Sequence, residues 1–561
     1  MSLPTTVAKP RPGPEDFRQL RTEGYYYVDK TAFIVEWVAE KDQVVLVPRP
    51  RRFGKTLNLS TLRYFLEKSS EDRRSLFEDL AVSRASEEVL QHQGRYPVIL
   101  LTLKNIKEES FHLAMLSLIS TLRALYAEHR ALLESDKLDA ADKATFSAIL
   151  SGTAGPNDVK MALLLLSGWL HAHHGERVVI LVDEYDAPIE LAYVQGYYDE
   201  IIHFMRGFLG AALKTNPHLY RGMLTGIRRV SKESLFSDLN NVRVRTTLEP
   251  VYSSSFGFTE PEVLGVLAAA GRGEAMEEVR AWYNGYIFGG QVIYNPWSVL
   301  CFAEQGQFRD YWVATSADAL LRQILVRDEG LDGEFEALLR GGVVSKRVDE
   351  QVALRDVEDE PGRVWSVLLT AGYLKATNLR FIDGAAWADL SIPNRELFRV
   401  WRDSFSGWLS LALRNVAPLR ALHQAVLGGR AAEVQRILRP MVSDALSYQH
   451  TGPRMNPERV YQAFVLGLLV SLEPDYHVRS ERESGLGRAD VLILPTRPGQ
   501  PGVVMEFKRV WRDEGETPEQ ALNEAHAQIA ARAYRRELEA ARAAPIHALA
   551  VAFDGKEVWV R

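Results

Sequence analysis

Val178 to Val182 is an unbroken apolar run of five residues set between two helical patterns, and the first half of the chain repeats that device. Val44 to Val47 is a shorter run of the same kind, while Pro97 to Leu103, Leu219 to Leu224 and Val242 to Leu248 read as further strands. A strand that alternates apolar and polar residues keeps one face in water. An unbroken run has no such face and needs helices on both sides. The intervening segments supply them. Leu59, Leu62 and Leu66 recur at spacings of three and four, Phe111 to about Leu133 is a long helical pattern, and Met161 to His171 reads as a buried helix. The expected fold class is α/β, with a parallel, doubly wound sheet over residues 15–250. At 561 residues, 46% hydrophobic and 25% charged, the chain has room for about three to four globular domains. Residues 1–14 are proline-rich without an apolar core and read as a flexible leader.

Arg49-Pro-Arg-Arg-Phe-Gly-Lys-Thr56 lies between the first strand and the first helix. It matches the phosphate-binding pattern G-x-x-x-x-G-K-[ST] except for its first position, where Arg49 replaces glycine. Such a loop, a P-loop, turns the backbone N–H groups of Arg51, Arg52, Phe53 and Gly54 toward phosphate at a helix N-terminus. Lys55 would reach the β- and γ-oxygens, and Thr56 would offer its hydroxyl to Mg²⁺.

Asp183 and Glu184 follow directly on the apolar run Val178 to Val182. At the carboxyl end of a parallel strand they stand at the ligand edge of the sheet. Asp183 would hold the Mg²⁺ shell of ATP and Glu184 would polarise the attacking water. A helix N-cap is the other use of such a pair. With the phosphate loop present, nucleotide binding is the expectation. Thr225, Arg228 and Arg229 follow the next strand, where they could sense the terminal phosphate or neutralise its charge, in cis or from a neighbouring subunit of a homo-oligomer. Plain surface arginines are the alternative.

From 251 to 448 the pattern is mostly helical, with aromatics at 282–286 whose ordinary use is core packing. Gln449 to Pro457 reads as a linker. Beyond it strands return at Asp490 to Leu494, Val503 to Lys508 and Ile546 to Phe553, with helices at Glu458 to Leu472 and Pro518 to Ala541: a smaller α/β unit over 449–561. The strand period puts Glu506 and Lys508 on one face and Phe507 on the other, toward the core. The proline- and glycine-rich loop 495–502 lets the two strands form a hairpin, so Asp490 and Glu506 can converge on one Mg²⁺. Lys508 would orient water or stabilise phosphate charge, Glu458 could add a carboxylate, and Gln528 could position water or substrate. A solvated strand edge is the simpler use of a Glu-x-Lys triplet.

The net charge of -6 argues against nucleic acid, but the charge is uneven. Residues 49–74 carry eight Lys/Arg against three Asp/Glu, and residues 476–512 carry seven against four. A lone cysteine, Cys301, fits a reducing compartment, and no apolar run reaches the roughly 18–20 residues of a membrane span. A cytoplasmic location without membrane partners is the expectation.

Tyr26-Tyr-Val-Asp-Lys-Thr31, Arg49 to Thr56, Asp183-Glu-Tyr-Asp-Ala-Pro188, Phe236-Ser-Asp-Leu-Asn-Asn241, Phe256-Gly-Phe-Thr259 and Tyr294-Asn-Pro-Trp-Ser298 together resemble the bacterial AAA-ATPase-like family. Gly487-Arg-Ala-Asp490 and Glu506-Phe-Lys508 resemble the PD-(D/E)XK nuclease domain that commonly closes such proteins. The resemblance implies a P-loop ATPase domain, a mostly helical middle region and a C-terminal restriction-endonuclease-like α/β domain. It also implies ATP and Mg²⁺ as cofactors and nucleic acid, DNA before RNA, as partner. The replaced leading glycine is shared with that family. Gln462 stands where such proteins often carry histidine, which puts the contribution of Glu458 to the metal in doubt. A nucleotide-controlled switch whose nuclease fold binds without cutting is the rival expectation. Defence against foreign DNA would suit the fusion, but no residue points to it.

Overall fold

The computed structural model describes residues 9–228, 241–312, 334, 337–338, 341–349, 352, 360–401, 417–446, 465, 468–469, 472, 475–479, 491–512, 515–531, 534–554 and 557–561. The chain divides into two compact units, Met1–Trp312 with Ser345–Glu396, and Val313–Val344 with Leu397–Arg561.

The first unit is built on β1 (Val44–Pro48), β2 (Val98–Thr102), β3 (Val178–Asp183), β4 (Leu219–Gly226) and β5 (Val242–Val244). They form one sheet in the order β2-β3-β4-β1-β5, and every neighbouring pair is parallel. Every residue of β1 and β3 is buried, as their unbroken apolar sequences require. The helices Phe111–Glu128, Pro156–His174 and Tyr198–Leu213 bury apolar stripes against one face of this sheet. Because β4 lies between β1 and β3, the residues that end these three strands are brought side by side. That crossover assembles the site described below.

Two smaller sheets belong to the middle of the chain. β6 (Tyr286–Phe288) and β7 (Gln291–Ile293) form an antiparallel hairpin, and β8 (Val344–Arg347), β9 (Lys375–Ile382) and β10 (Ala385–Ser391) form a sheet in the order β8-β10-β9. Helices dominate the rest of the described residues here, but the region is shared between the units. Residues 251–312 and 345–396 pack within the first. The helices Ala417–Leu427 and Ala431–Leu446 cover the sheet of the second, through Leu422, Val426, Val434, Leu438 and Val442 at helical spacing.

The second unit's sheet is mixed. β11 (Tyr476–Arg479), β12 (Val491–Pro495), β13 (Gly502–Arg509), β14 (Ile546–Asp554) and β15 (Glu557–Val560) lie in sequence order, all pairs antiparallel except β13 with β14. The strand period sorts β13 cleanly. Val503, Met505 and Phe507 join the core under the helices Ala417–Leu427 and Ala431–Leu446, while Val504 packs with Leu538 from the opposite layer. The expected single helix over 518–541 is two helices, Pro518–Ala531 and Tyr534–Ala540. Among the described residues no helix is long and apolar enough to cross a membrane.

Candidate functional site

The phosphate-like loop leaves β1 and enters the helix Lys55–Leu66 through Gly54, which caps it in the left-handed region at φ 81°. Arg52 is also left-handed, at φ 68°. Lys55 is buried, and its Nζ donates to the carbonyls of Arg49 and Pro50, each at 2.9 Å. Burial lowers its pKa, against the pull of Glu184, Asp183 and Asp186.

Arg49 explains the missing glycine. Its guanidinium is fully buried, donating to the carbonyls of Pro48 and Arg245, both at 2.8 Å, and lying over the rings of Phe256 and Phe288. Here an arginine braces the loop from beneath, where the usual pattern has glycine. Phe53 is buried edge-on against Tyr286 and accepts, through its carbonyl, the N–H of Gly257. Gly257 has φ 89°, and any side chain there would strike Phe53. Arg52 lies over the ring of Trp297, 4.1 Å from its centroid.

The segments around Lys30, Phe256 and Tyr294–Ser298 thus act as braces, whereas residues 236–240 and 487–490 lie outside the described residues. Asn295 caps the helix Pro296–Gln305 by accepting from the Ser298 N–H, and Ser298 donates to the buried carboxyl of Glu396, which also accepts the Trp312 N–H at 2.7 Å. Burial pushes Glu396 up to about 8. Trp312 in turn donates from Nε1 to the Arg51 carbonyl at 3.1 Å. Lys30 donates to Ser254 and Glu262, tying the first aromatic segment to the turn before Phe256.

Asp183 ends β3 almost wholly buried. Thr56 Oγ1 donates to its Oδ2 at 2.7 Å and Thr225 Oγ1 to its Oδ1 at 2.6 Å. The loop helix, the β3 end and the β4 end therefore meet on one carboxylate. Glu184 follows, half-buried and left-handed at φ 48°. Asp186, two residues on, is buried and accepts the N–H groups of Ile227 and Arg228 at 2.8 and 2.9 Å. Burial, then the charge of Glu190, raises it to about 7, against those two amides and Arg228. Arg228 is buried beside it: Nη2 donates to Glu190 at 2.7 Å, and among the described residues Nε and Nη1 have no hydrogen-bond partner. Arg51 reaches the other oxygen of Glu190 at 3.5 Å. Lys55, Thr56, Asp183, Glu184, Thr225, Arg51 and Arg228 are thus gathered around the ends of β1, β3 and β4. Arg229 lies outside the described residues. Asp186 and Glu190 were not singled out by the sequence; Asp186 sits inside a quoted segment, and Glu190 follows it by one helical turn.

In the second unit, Glu506 is buried on β13 and Lys508 is half-buried. Lys508 Nζ pairs with Glu524 Oε1 at 3.1 Å on the helix Pro518–Ala531, and half-buried Gln528 lies one turn farther along that helix. The hairpin forms as expected, with Val491 opposite Met505. Asp490 and Glu458 lie outside the described residues. Among those described, no group of three or more His, Cys, Asp and Glu side chains could hold a metal ion. Glu524 is the addition here, and only the packing of that helix on β13 reveals it.

The Asp183 carboxylate bound by two threonines, with Arg228 at the same sheet edge carrying N–H groups that have no partner among the described residues, fits a nucleotide with its divalent ion. Comparison with known proteins points the same way. Residues 11–236 match the family described as Predicted AAA-ATPase, and residues 456–561 match the PD-(D/E)XK nuclease superfamily. The chain is also 27% identical over 553 residues to a protein of Azotobacter chroococcum mcd 1 described as "Uncharacterized protein in vnfD 5'region", covering 97% of this chain and 96% of that one. The chain therefore carries an AAA-ATPase-like domain followed by a C-terminal domain of the PD-(D/E)XK nuclease superfamily.

Proposed function

We propose that the chain binds and hydrolyses ATP in its first unit and cuts DNA with Mg²⁺ in its second, the first controlling the second. The observation that carries this reading is the meeting of Thr56 and Thr225 on the Asp183 carboxylate, at the same sheet edge as Arg228, whose Nε and Nη1 have no partner among the described residues. Arg51, Arg52, Phe53 and Gly54 would cradle phosphate through backbone N–H groups, with Lys55 on the terminal oxygens. Thr56 and Asp183 would hold Mg²⁺, which when bound would neutralise phosphate charge. Glu184, free of the threonine contacts that hold Asp183, would accept a proton from the attacking water. Thr225, Arg228 and Arg229 would register the terminal phosphate.

In the second unit Glu506, with Asp490 and Glu458, would supply the carboxylates for Mg²⁺. Lys508 would leave Glu524 to meet the scissile phosphate, and Gln528 would position water. A nucleic acid is the expected substrate, since the net charge excess on residues 476–512 is positive while the chain as a whole is negative, and DNA stands ahead of RNA on the nuclease-superfamily match alone. A cytoplasmic setting and a homo-oligomer, in which an arginine of a neighbouring subunit could complete the site, belong to the same proposal.

The ion pair between Lys508 and Glu524 also favours a second reading, a nucleotide-controlled binding protein whose nuclease fold does not cut. Nicking of supercoiled plasmid by the pure protein with Mg²⁺ or Mn²⁺ separates the two. Activity abolished by Glu506→Ala and by Lys508→Ala supports the nuclease. A protein that binds ATP through Lys55 yet leaves DNA and RNA intact is the switch.

A further inference from the structure

Glu190 stands between two arginines that come from different ends of the site. Its Oε1 accepts Arg228 Nη2 at 2.7 Å, and its Oε2 lies 3.5 Å from Arg51 Nη2. Arg51 belongs to the phosphate loop and Arg228 to the segment after β4. Glu190 sits on the helix Ala187–Gln195, which starts three residues beyond Glu184. The main chain around Arg228 is fixed: its N–H and that of Ile227 bind Asp186, and its carbonyl accepts the Tyr185 hydroxyl at 2.7 Å. The side chain is not equally fixed. Glu190 engages a single nitrogen of it, and Nε and Nη1, both buried, have no partner among the described residues. A guanidinium presents five donors in a planar fork suited to two-point contact with carboxylate or phosphate. Leaving part of that fork dry and unpaired is costly, and a second anion placed against it removes the cost.

We propose that Glu190 competes with the terminal phosphate of the nucleotide for Arg51 and Arg228, so that arrival of a triphosphate moves both arginines off the carboxylate and a diphosphate does not. The proposal rests on the nucleotide-site reading above and adds to it a residue that tunes the preference for ATP over ADP. The phosphate carries more charge than the carboxylate and offers more acceptor oxygens, so it can win this exchange without any change in the main chain around Arg228. Removing the charge of Glu190 removes the competitor. A purely structural ion pair predicts the opposite, because an unanchored Arg228 would serve the phosphate less well.

The test is equilibrium binding of the β,γ-imido analogue of ATP and of ADP, each with Mg²⁺, to wild type, Glu190→Gln and Lys55→Ala. The expected result is that Glu190→Gln binds the triphosphate analogue about tenfold more tightly while ADP affinity stays within about twofold. If Glu190→Gln does not fold, Glu190→Asp, one methylene short of both arginines, is expected to shift the same ratio in the same direction. Unchanged or weakened binding of the analogue, in a protein whose wild type binds it in a Lys55-dependent way, overturns the Glu190 proposal alone. Absence of Lys55-dependent binding in the wild type overturns the nucleotide site and this proposal together.

Discussion

Thr56 and Thr225 share a single carboxylate: each donates its hydroxyl to a different oxygen of Asp183, at 2.7 and 2.6 Å. One threonine opens the helix after the phosphate loop and the other lies near the end of β4, so Asp183 couples the loop to the neighbouring strand. Asp183→Asn replaces one acceptor oxygen by an NH₂ group that cannot receive a threonine hydroxyl. The expected outcome is loss of ATP turnover by about 100-fold or more, read as phosphate release. Turnover within a few-fold of wild type would detach Asp183 from the chemistry.

Glu184 has neither threonine as a partner and occupies a left-handed turn just past the strand. Glu184→Gln keeps the shape and removes the base. It should retain nucleotide binding and lower turnover by about 10²–10⁴-fold. Weakened binding with preserved turnover would reverse the roles given to Asp183 and Glu184.

Arg49→Gly restores the usual first residue of a phosphate loop, and here it is expected to harm the protein. The substitution removes the hydrogen bonds to the carbonyls of Pro48, Arg245 and Tyr252 and the packing over Phe256 and Phe288. A loss of about 3 kcal/mol in urea unfolding is expected. A neutral or stabilising result would mean that Arg49 is not the brace it resembles.

Glu396 gives a pH dependence whose sign follows from its burial. Its folded pKa of about 8 lies above the ordinary 4.5, so between these values the folded protein holds a proton that the unfolded chain has released. Its contribution is full below about pH 4.5 and is lost as pH rises through 8, at up to about 1.4 kcal/mol per pH unit. Unfolding of wild type and Glu396→Gln at pH 5, 6, 7 and 8 should show a shallower decline in the variant. Parallel curves would contradict this assignment.

β1 and β3 were legible in the sequence because strands buried on both faces cannot hide their composition, and the placing of Lys55, Thr56, Asp183 and Thr225 together at the strand ends was legible because each follows or closes a buried parallel strand. Other features depend on contacts that sequence spacing does not encode. Glu190 meets Arg228 only because β4 lies beside β3 and carries Arg228 to it. Arg49 reads as a defect in a motif until the segments around Tyr252, Phe256 and Phe288 fold beneath the loop. The apolar stripes of Ala417–Leu427 and Ala431–Leu446 announce a buried face, but not which sheet covers it. In the second unit Lys508 pairs with Glu524, one helical turn before Gln528, and Glu506 lies two residues away on the same strand, while Asp490 and Glu458 lie outside the described residues.

The most direct test of nucleotide-controlled cleavage is the rate of Mg²⁺-dependent nicking of circular and linear DNA, with and without ATP, by wild type, Lys55→Ala and Lys508→Ala. The account predicts cleavage that responds to ATP in the wild type, loses that response in Lys55→Ala, and disappears in Lys508→Ala while ATP turnover persists. Cleavage at the wild-type rate in both variants would contradict it.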